Sequence, residues 1–136
     1  MSHLLDRQGS CRVLVVDDDR DAADSLVEML TLWGFSAAAV YDGAQAVLAE
    51  EALKPSLVLL DIEMPQLDGY TAATVMRRGW PERRVKLVAL TGRTSPAHVE
   101  LSASVGFDEH ICKPIGRARL QMLALESGPP ERLPEL

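Results

Sequence analysis

The apolar positions of this chain follow two patterns: short continuous runs, and longer stretches in which apolar residues recur at helical spacing. Short runs rich in Val and Leu and closed by turn residues are typical of strands buried on both faces of a parallel sheet. They predict strands at residues 12–17, 36–40, 56–61, 85–90 and 108–112. The helical spacing predicts helices at residues 20–33, 44–53, 70–78, 96–105 and 115–126.

The alternation of strands and helices predicts the fold class. It indicates an α/β domain with right-handed crossovers and with helices on both faces of a five-stranded parallel sheet. The topology that fits best is a flavodoxin-like (βα)5 three-layer sandwich with strand order 2-1-3-4-5. We expect an N-terminal extension at residues 1–10, one domain at residues 11–126 and a flexible C-terminal tail at residues 127–136.

Three predicted helices have apolar patterns that bear on packing. The first carries one apolar stripe and should end at Gly34. The second is expected to place these residues on one side: Ala44, Val47, Leu48 and Ala52. The last has two apolar faces, one with Ile115, Ala118, Met122 and Leu125, the other with Leu120, Leu123 and Ala124. Because only one of these faces can meet the sheet, the other should be an exposed interface or be shielded by the tail.

Residues with carboxylate, hydroxyl or ammonium groups lie at the ends of four of the apolar runs. Asp17-Asp18-Asp19 follow the first run, and Asp61 ends the third. Thr91 follows the fourth run, and Lys113 follows the fifth. In an open α/β sheet, ligands bind outside the carboxyl ends of the strands, so these carboxylates, the hydroxyl and the ammonium should meet at one edge. Such a set is suited to a divalent cation and a phosphoryl group.

Composition and charge narrow the function classes. The 136 residues carry a formal charge of −6, which argues against broad binding to nucleic acid and is compatible with a cation site. No apolar stretch approaches the ~20 residues of a membrane span, and no signal peptide is visible. Cys11 and Cys112 are expected to be reduced, because Cys11 precedes the first predicted strand and Cys112 lies in the fifth, and these strands are not neighbours in the predicted sheet. We expect a cytoplasmic protein with no direct nucleic-acid or membrane contact.

Other charged residues are assigned to structural roles. Three consecutive aspartates after a buried strand are more than a helix cap needs. We therefore assign Asp17 and Asp18 to a metal, and Asp19 and Asp21 to capping the first helix. The basic run formed by Arg77-Arg78, Arg83-Arg84 and Lys86 is expected to be a solvated loop, with a docking patch as the alternative.

Four segments resemble the receiver domains of response regulators in two-component signalling. They are Val15-Val16-Asp17-Asp18, the stretch Asp61-Ile62-Glu63-Met64-Pro65-Gln66-Leu67-Asp68-Gly69, Thr91-Gly92 and Lys113-Pro114. Any one of them alone is a weak signal. All four occur in order, each at the end of a predicted strand, and the resemblance covers about residues 11–125.

The resemblance implies a phosphorylation and metal site. Asp61 resembles the phospho-accepting aspartate of the family. Asp18 and Asp61 resemble direct ligands of Mg²⁺ (or Mn²⁺), with the backbone carbonyl of Glu63 as a third ligand and Asp17 holding the metal through water. The chemistry is reasonable, since Mg²⁺ prefers oxygen ligands and offsets the repulsion between neighbouring carboxylates.

The resemblance also implies a conformational switch. Thr91 resembles the hydroxyl that turns inward on phosphorylation, and Lys113 resembles the lysine that pairs with the phosphoryl oxygens, next to a cis Pro114. The family usually has an aromatic residue three positions before this lysine, where this chain has His110. Histidine is smaller and titrates near neutral pH, so the coupling of phosphorylation to output is expected to differ from that of aromatic members.

The implied function is a phospho-accepting receiver that catalyses only its own aspartyl phosphorylation and dephosphorylation. A histidine kinase or histidine phosphotransfer protein would supply the phosphoryl group to Asp61 in a Mg²⁺-dependent step. The output would be a change in binding to a downstream protein, or relay of the phosphoryl group. The surface around the predicted helix at residues 96–105, the fifth strand and the last helix is expected to bind a protein partner or a second copy of the chain as a homodimer.

Two alternatives stay open on the sequence alone, and a third is disfavoured. The chain could be a receiver module detached from a hybrid histidine kinase, because residues 88–92 and 106–108 are similar to such modules. It could be an aspartate-nucleophile phosphohydrolase of the haloacid dehalogenase kind that uses Asp17 and Asp19, although Asp21 stands where those enzymes usually have Thr or Val. A flavodoxin-like FMN carrier is disfavoured, because three aspartates would repel the FMN phosphate.

Overall fold

The computed structural model describes residues 12–62, 69–79, 85–92 and 106–131. The strands in these ranges are β1 (Val13–Val16), β2 (Ala37–Val40), β3 (Leu57–Asp61), β4 (Lys86–Thr91) and β5 (Glu109–Cys112). The helices are α1 (Arg20–Leu32), α2 (Gly43–Leu53), α3 (Gly69–Gly79) and α4 (Arg117–Glu126). The predicted helix at residues 96–105 lies outside the described residues. None of these four helices combines the length and apolar character that a bilayer span requires.

The five strands form one parallel sheet in the order β2-β1-β3-β4-β5, which confirms the predicted flavodoxin-like topology. Residue Val16 at the end of β1 pairs with Val40 of β2 and with Leu60 of β3. The carboxyl ends of the three strands therefore lie side by side. At the other side of β3, Asp61 pairs with Leu90 of β4.

The sheet is covered by a helical layer on each face, as its strand pattern predicts. Leu57 and Leu59 of β3 pack with α1 and α4, whereas Val58 and Leu60 point the opposite way and pack with α2 and α3. This alternation is the two-residue side-chain period of a strand. All four side chains are fully buried, and burial of each stabilises the fold by about 1.5–3 kcal/mol.

Helix α1 has the ends that its sequence predicts. The carboxylate of Asp19 accepts a hydrogen bond from the backbone N–H of Ala22 at 3.2 Å, so Asp19 is the N-cap. At the other end Gly34 has a φ of 96°, a left-handed conformation that favours glycine. The Phe35 N–H then reaches back to the Leu30 carbonyl at 3.0 Å and closes the helix.

The predicted apolar side of the second helix is wrong. Ala44, Leu48 and Ala52 are exposed, and 67% of Leu48 is accessible to solvent. The residues of α2 that are buried or packed against the core are Ala46, Val47, Ala49, Glu50 and Leu53. The helix is apolar on nearly every side, so its sequence pattern does not select the face that meets the sheet and α3.

The last helix buries one apolar face and exposes the other, as expected. Leu120, Leu123 and Ala124 are fully buried against the sheet. Met122 and Leu125 are 53% and 48% exposed. Ile115, which we grouped with the exposed pair, instead packs against the buried cluster, because it precedes the first turn of α4.

The first residues of the expected flexible tail contact the domain. Glu131 accepts a hydrogen bond from the Ser36 backbone N–H at 3.1 Å and another from the Ser36 hydroxyl. Arg12 donates to the Pro129 carbonyl at 3.0 Å, and its Nη2 lies 3.8 Å from the Glu131 carboxylate. The domain boundary at residue 127 stays a prediction, but residues 128–131 lie against the amino-terminal end of the sheet.

Two members of the basic run are structural and do not lie in a solvated loop. Arg77 in α3 pairs with Asp108 at 2.7 Å and also donates to the Val85 carbonyl, which joins α3 to the strands beside it. Lys86 opens β4, and its Nζ lies 2.7 Å from Glu109 and 2.9 Å from Glu126. The sequence does not display these pairs, because each joins residues from different elements.

Candidate metal and phosphoryl site

Three aspartates meet at the carboxyl edge of the sheet. Asp17 is the first residue after β1, Asp18 follows it, and Asp61 is the last residue of β3. Because β1 and β3 are paired neighbours, their ends bring these side chains together. One carboxylate oxygen from each of the three lies within 4.8 Å of the others. We call these residues the acidic cluster.

The members of the acidic cluster differ in burial. Asp17 and Asp61 are each 3% exposed, whereas Asp18 is exposed. The Asp17 carboxylate accepts a hydrogen bond from the backbone N–H of Asp19 at 2.9 Å. A buried carboxylate needs such partners, since its desolvation is costly. The exposed Asp18 leaves the cluster open to solvent on one side, from which a hydrated ion can approach.

Lys113 supplies the positive charge of the site. Its Nζ lies 2.9 Å from Asp17 Oδ2 and 3.3 Å from Asp61 Oδ2, so one ammonium bridges both buried carboxylates. Burial alone would lower the pKa of Lys113, but the hydrogen bond to Asp17 and the charge of Asp61 outweigh it and raise this pKa. The peptide bond between Lys113 and Pro114 is cis, as the resemblance implies.

The two expected switch residues lie on one face of the sheet. Thr91 ends β4 and is fully buried, and its carbonyl accepts a hydrogen bond from the Lys113 backbone N–H at 2.7 Å. His110 is half-buried in β5, where it pairs with Ala89, two residues before Thr91. Because side chains alternate along a strand, Thr91, Ala89 and His110 share the face that is opposite Leu90.

The remaining predicted site residue cannot be placed. Glu63, whose carbonyl is the expected third metal ligand, lies outside the described residues. The other aspartate of the first motif, Asp19, caps α1 and is not part of the acidic cluster. The described oxygens still suit a hard cation such as Mg²⁺ or Mn²⁺, whose binding would offset the repulsion between the carboxylates.

A contact between Arg20 and Tyr41, also at the carboxyl edge of the sheet, was not predicted from the sequence. The Arg20 guanidinium lies 4.0 Å from the centroid of the Tyr41 ring, and the Tyr41 hydroxyl donates to Asp24 Oδ1 at 2.6 Å. The hydrogen bond to Asp24, together with desolvation and the negative charge of Asp24, raises the pKa of Tyr41. The available signal was the position of Tyr41 directly after β2, beside the end of β1.

The fold and the acidic cluster together define a class of protein: a receiver-like α/β domain whose three aspartates at the carboxyl edge could hold a metal ion. The family model described as "Response regulator receiver domain" matches residues 13–124. The chain therefore belongs to the response regulator receiver domain family.

Curated relatives agree with this assignment. The chain is 36% identical over 128 residues to the DNA-binding response regulator MtrA of Mycolicibacterium smegmatis, which covers 90% of this chain and 55% of that protein. It is 38% identical over 111 residues to the transcriptional regulatory protein PrrA of Mycobacterium tuberculosis, and this match covers 82% of this chain and 47% of PrrA. The chain thus spans about half the length of these relatives. Since MtrA is described as DNA-binding, our expectation of no nucleic-acid contact is not confirmed.

Solved structures show the same fold. The receiver domain of a signal transduction histidine kinase from Syntrophus aciditrophicus has a TM-score of 0.75 and 28% identity, and the match covers 87% of this chain and 89% of that one. The receiver domain of Saccharomyces cerevisiae Ssk1, solved with the histidine phosphotransfer protein Ypd1, has a TM-score of 0.80 and 23% identity, covering 88% and 90%.

Proposed function

We propose that this receiver domain accepts a phosphoryl group on Asp61, in a Mg²⁺-dependent reaction, from a histidine kinase or a histidine phosphotransfer protein. The observation that carries the proposal is the bridge that Lys113 makes between the buried carboxylates of Asp17 and Asp61. A buried carboxylate beside a fixed cation is a suitable nucleophile for an anionic phosphoryl donor. Ssk1, whose receiver domain has this fold, was solved with such a donor protein.

The proposed step is a transfer between two side chains. An Asp61 carboxylate oxygen attacks the phosphorus of a phosphohistidine, and a new O–P bond forms. The P–N bond breaks, and its electron pair stays on the imidazole, which leaves neutral when its other nitrogen carries a proton. Water later attacks the same phosphorus, which regenerates the Asp61 carboxylate and releases inorganic phosphate and a proton.

The side chains around Asp61 take separate parts in this step. Asp17 and Asp18 would hold Mg²⁺ together with Asp61 and the Glu63 carbonyl, and the bound ion would neutralise charge on the transferring group. The Lys113 ammonium already lies 3.3 Å from Asp61 Oδ2, so it can move onto a phosphoryl oxygen with a charge-assisted hydrogen bond.

The modification would be transmitted through Thr91 and His110. A phosphoryl group adds negative charge and three acceptor oxygens at the edge where Thr91 ends β4. Rotation of the Thr91 hydroxyl toward these oxygens would change the space on the face that it shares with His110. The half-buried histidine would then adjust its position in β5.

We propose that the output passes through a protein partner, a second copy of this chain, or relay of the phosphoryl group. The exposed side chains of Met122 and Leu125 on α4 form an apolar surface that suits a homodimer. A receiver module of a hybrid histidine kinase is the second candidate, favoured by the similarity to the Syntrophus aciditrophicus receiver. The phosphohydrolase alternative is not proposed, since Asp19 caps α1.

The test is phosphorylation by acetyl phosphate with Mg²⁺, followed by intact-protein mass. We expect the wild type to gain one phosphoryl group, and the gain to disappear with EDTA or in Asp61→Asn. The matched control is Asp42→Asn, which makes the same carboxylate-to-amide change at the N-cap of α2, where asparagine also caps well. Labelling of Asp61→Asn at the wild-type level would refute the proposal.

A further inference from the structure

A cation is held in place beside the acidic cluster. Arg20 is the first residue of α1, two positions after Asp18, and its guanidinium lies 4.0 Å from the centre of the Tyr41 ring. Tyr41 is itself held, because its hydroxyl donates to Asp24 at 2.6 Å and its backbone N–H donates to Gln45 Oε1 at 3.2 Å. The ring attracts the cation through its negative face, so the guanidinium has a defined position.

This position is at the same edge of the sheet as the phosphoryl site. Tyr41 follows Val40, whose carbonyl accepts a hydrogen bond from the backbone N–H of Asp17 at 3.2 Å. Arg20 is exposed, and among the described residues it makes no ion pair with a carboxylate. Its charge is therefore available to molecules that approach the carboxyl edge from solvent.

The charge matters because the acidic edge by itself does not attract an anionic substrate. The acidic cluster carries three carboxylates, and among the described residues one ammonium, that of Lys113, lies against them. Phosphoryl donors are anions, so the metal-free edge repels them, and a bound Mg²⁺ would bring the edge only to about neutral. A fixed cation at the edge lowers the barrier to their approach, and the same cation disfavours Mg²⁺ binding.

We propose that Arg20, positioned by Tyr41, attracts the anionic phosphoryl donor to the acidic edge. The inference rests on the proposed function, since it concerns how the donor reaches Asp61. It assigns Arg20 no contact with the reacting atoms. The consequence is that removal of this charge moves two measured quantities in opposite directions: the reaction with an anion slows, and the binding of a cation strengthens.

The experiment compares Arg20→Gln with the wild type in two assays at low and high ionic strength. The rate constant for labelling by acetyl phosphate at saturating Mg²⁺ should fall about twofold at low ionic strength, and Mg²⁺ affinity measured by calorimetry should rise about twofold. Both differences should vanish at high ionic strength, because salt screens exposed charges. A role in folding alone would weaken both quantities and would not depend on salt.

A matched control removes an equal charge at the other end of the sheet. Lys54 is exposed at the C-cap of α2, in the connection that leads into the amino-terminal end of β3. Lys54→Gln should leave both the labelling rate and Mg²⁺ affinity unchanged. An equal effect of Lys54→Gln and Arg20→Gln would mean that only net charge matters, and it would overturn the inference.

Two variants of Tyr41 test the positioning. Tyr41→Leu removes the ring that holds the guanidinium, so it should reproduce part of the Arg20→Gln effect in both assays. Tyr41→Phe keeps the ring and loses the hydrogen bond to Asp24, so it should stay closer to the wild type. Identical behaviour of Tyr41→Leu and the wild type would overturn the role of the ring.

The outcomes separate this inference from the proposed function. If the wild type gains no phosphoryl group, or if Asp61→Asn gains one, the proposed function fails and the inference fails with it. If labelling of the wild type requires Asp61 but Arg20→Gln matches the wild type in rate and in Mg²⁺ affinity, the inference alone is refuted.

Discussion

Removal of the Lys113 charge should destabilise the metal-free domain more than the Mg²⁺-bound domain. Lys113→Met keeps most of the side-chain volume and deletes the ammonium that bridges Asp17 and Asp61. Without this charge, the acidic cluster has no cation at salt-bridge distance among the described residues. A bound Mg²⁺ would neutralise the same carboxylates, so the lysine and the metal would have partly redundant roles.

The structure allows the magnitude to be estimated. The carboxylate oxygens of the acidic cluster lie within 4.8 Å of one another, so each pair repels by about 3.5 kcal/mol or more at an effective dielectric near 20, which is about 10 kcal/mol or more for the three pairs. At 2.9 and 3.3 Å, Lys113 attracts the two buried carboxylates by about 5 to 6 kcal/mol each in the same dielectric, so the two terms nearly cancel. Because Lys113 and Asp18 are partly or fully exposed to water, the measurable cost is smaller, about 2 to 3 kcal/mol.

The assay is urea denaturation of Lys113→Met and the wild type, in EDTA and in saturating Mg²⁺. We expect a loss of about 2 to 3 kcal/mol in EDTA and about 1.4 kcal/mol less than that in Mg²⁺, which corresponds to about tenfold tighter Mg²⁺ binding by the variant. Lys54→Met at the exposed C-cap of α2 is the matched control. An equal loss for Lys113→Met in both buffers would refute the reasoning.

The pH dependence of this loss has a defined sign. Burial alone would lower the pKa of Lys113, but the hydrogen bond to Asp17 and the charge of Asp61 outweigh it. In the folded state this pKa is therefore raised above its ordinary value of 10.5. A raised pKa means that the stabilisation is complete below the unfolded pKa and is lost as the pH rises through the folded pKa. The cost of Lys113→Met should therefore be constant across neutral pH and decrease only in the alkaline range above 10.5.

Three other predictions follow from the described contacts. His110→Tyr should change the response of a partner or dimer to phosphorylation more than it changes the labelling rate; equal changes in both would place His110 in the chemistry. Glu131→Gln should cost about 1 kcal/mol in urea denaturation because it weakens the bonds to Ser36, whereas Glu51→Gln on the exposed side of α2 should cost nothing measurable. Lys86→Gln should cost about 1 kcal/mol or less, since its ion pairs are partly exposed to solvent; a larger loss would indicate a role beyond them.

The strands and the convergence at their ends were predictable because both depend on local signals. Buried parallel strands are continuous apolar runs, so β3 was expected at residues 56–61 and is found at Leu57–Asp61. Once the strand order is 2-1-3-4-5, the ends of β1 and β3 must be neighbours. Asp17 and Asp61 then meet without any further information from the sequence.

The remaining features depend on contacts between distant residues. The buried side of α2 is decided by how the helix packs against the sheet and α3. Because this helix is apolar on nearly every side, its sequence pattern does not predict which side is buried. The pairing of Ser36 with Glu131 joins residues that are 95 positions apart. The stacking of Arg20 on Tyr41 likewise requires β2 to lie beside the start of α1, which only the folded chain reveals.

The most direct test of the acidic cluster is to locate the phosphoryl group on the wild-type chain. After labelling with acetyl phosphate and Mg²⁺, borohydride reduction converts an aspartyl phosphate to homoserine, and peptide mass spectrometry finds its position. We predict homoserine at position 61 and none at Asp17, Asp18 or Asp19. Homoserine at one of those three positions, or its absence from the whole chain, would contradict the central role of Asp61.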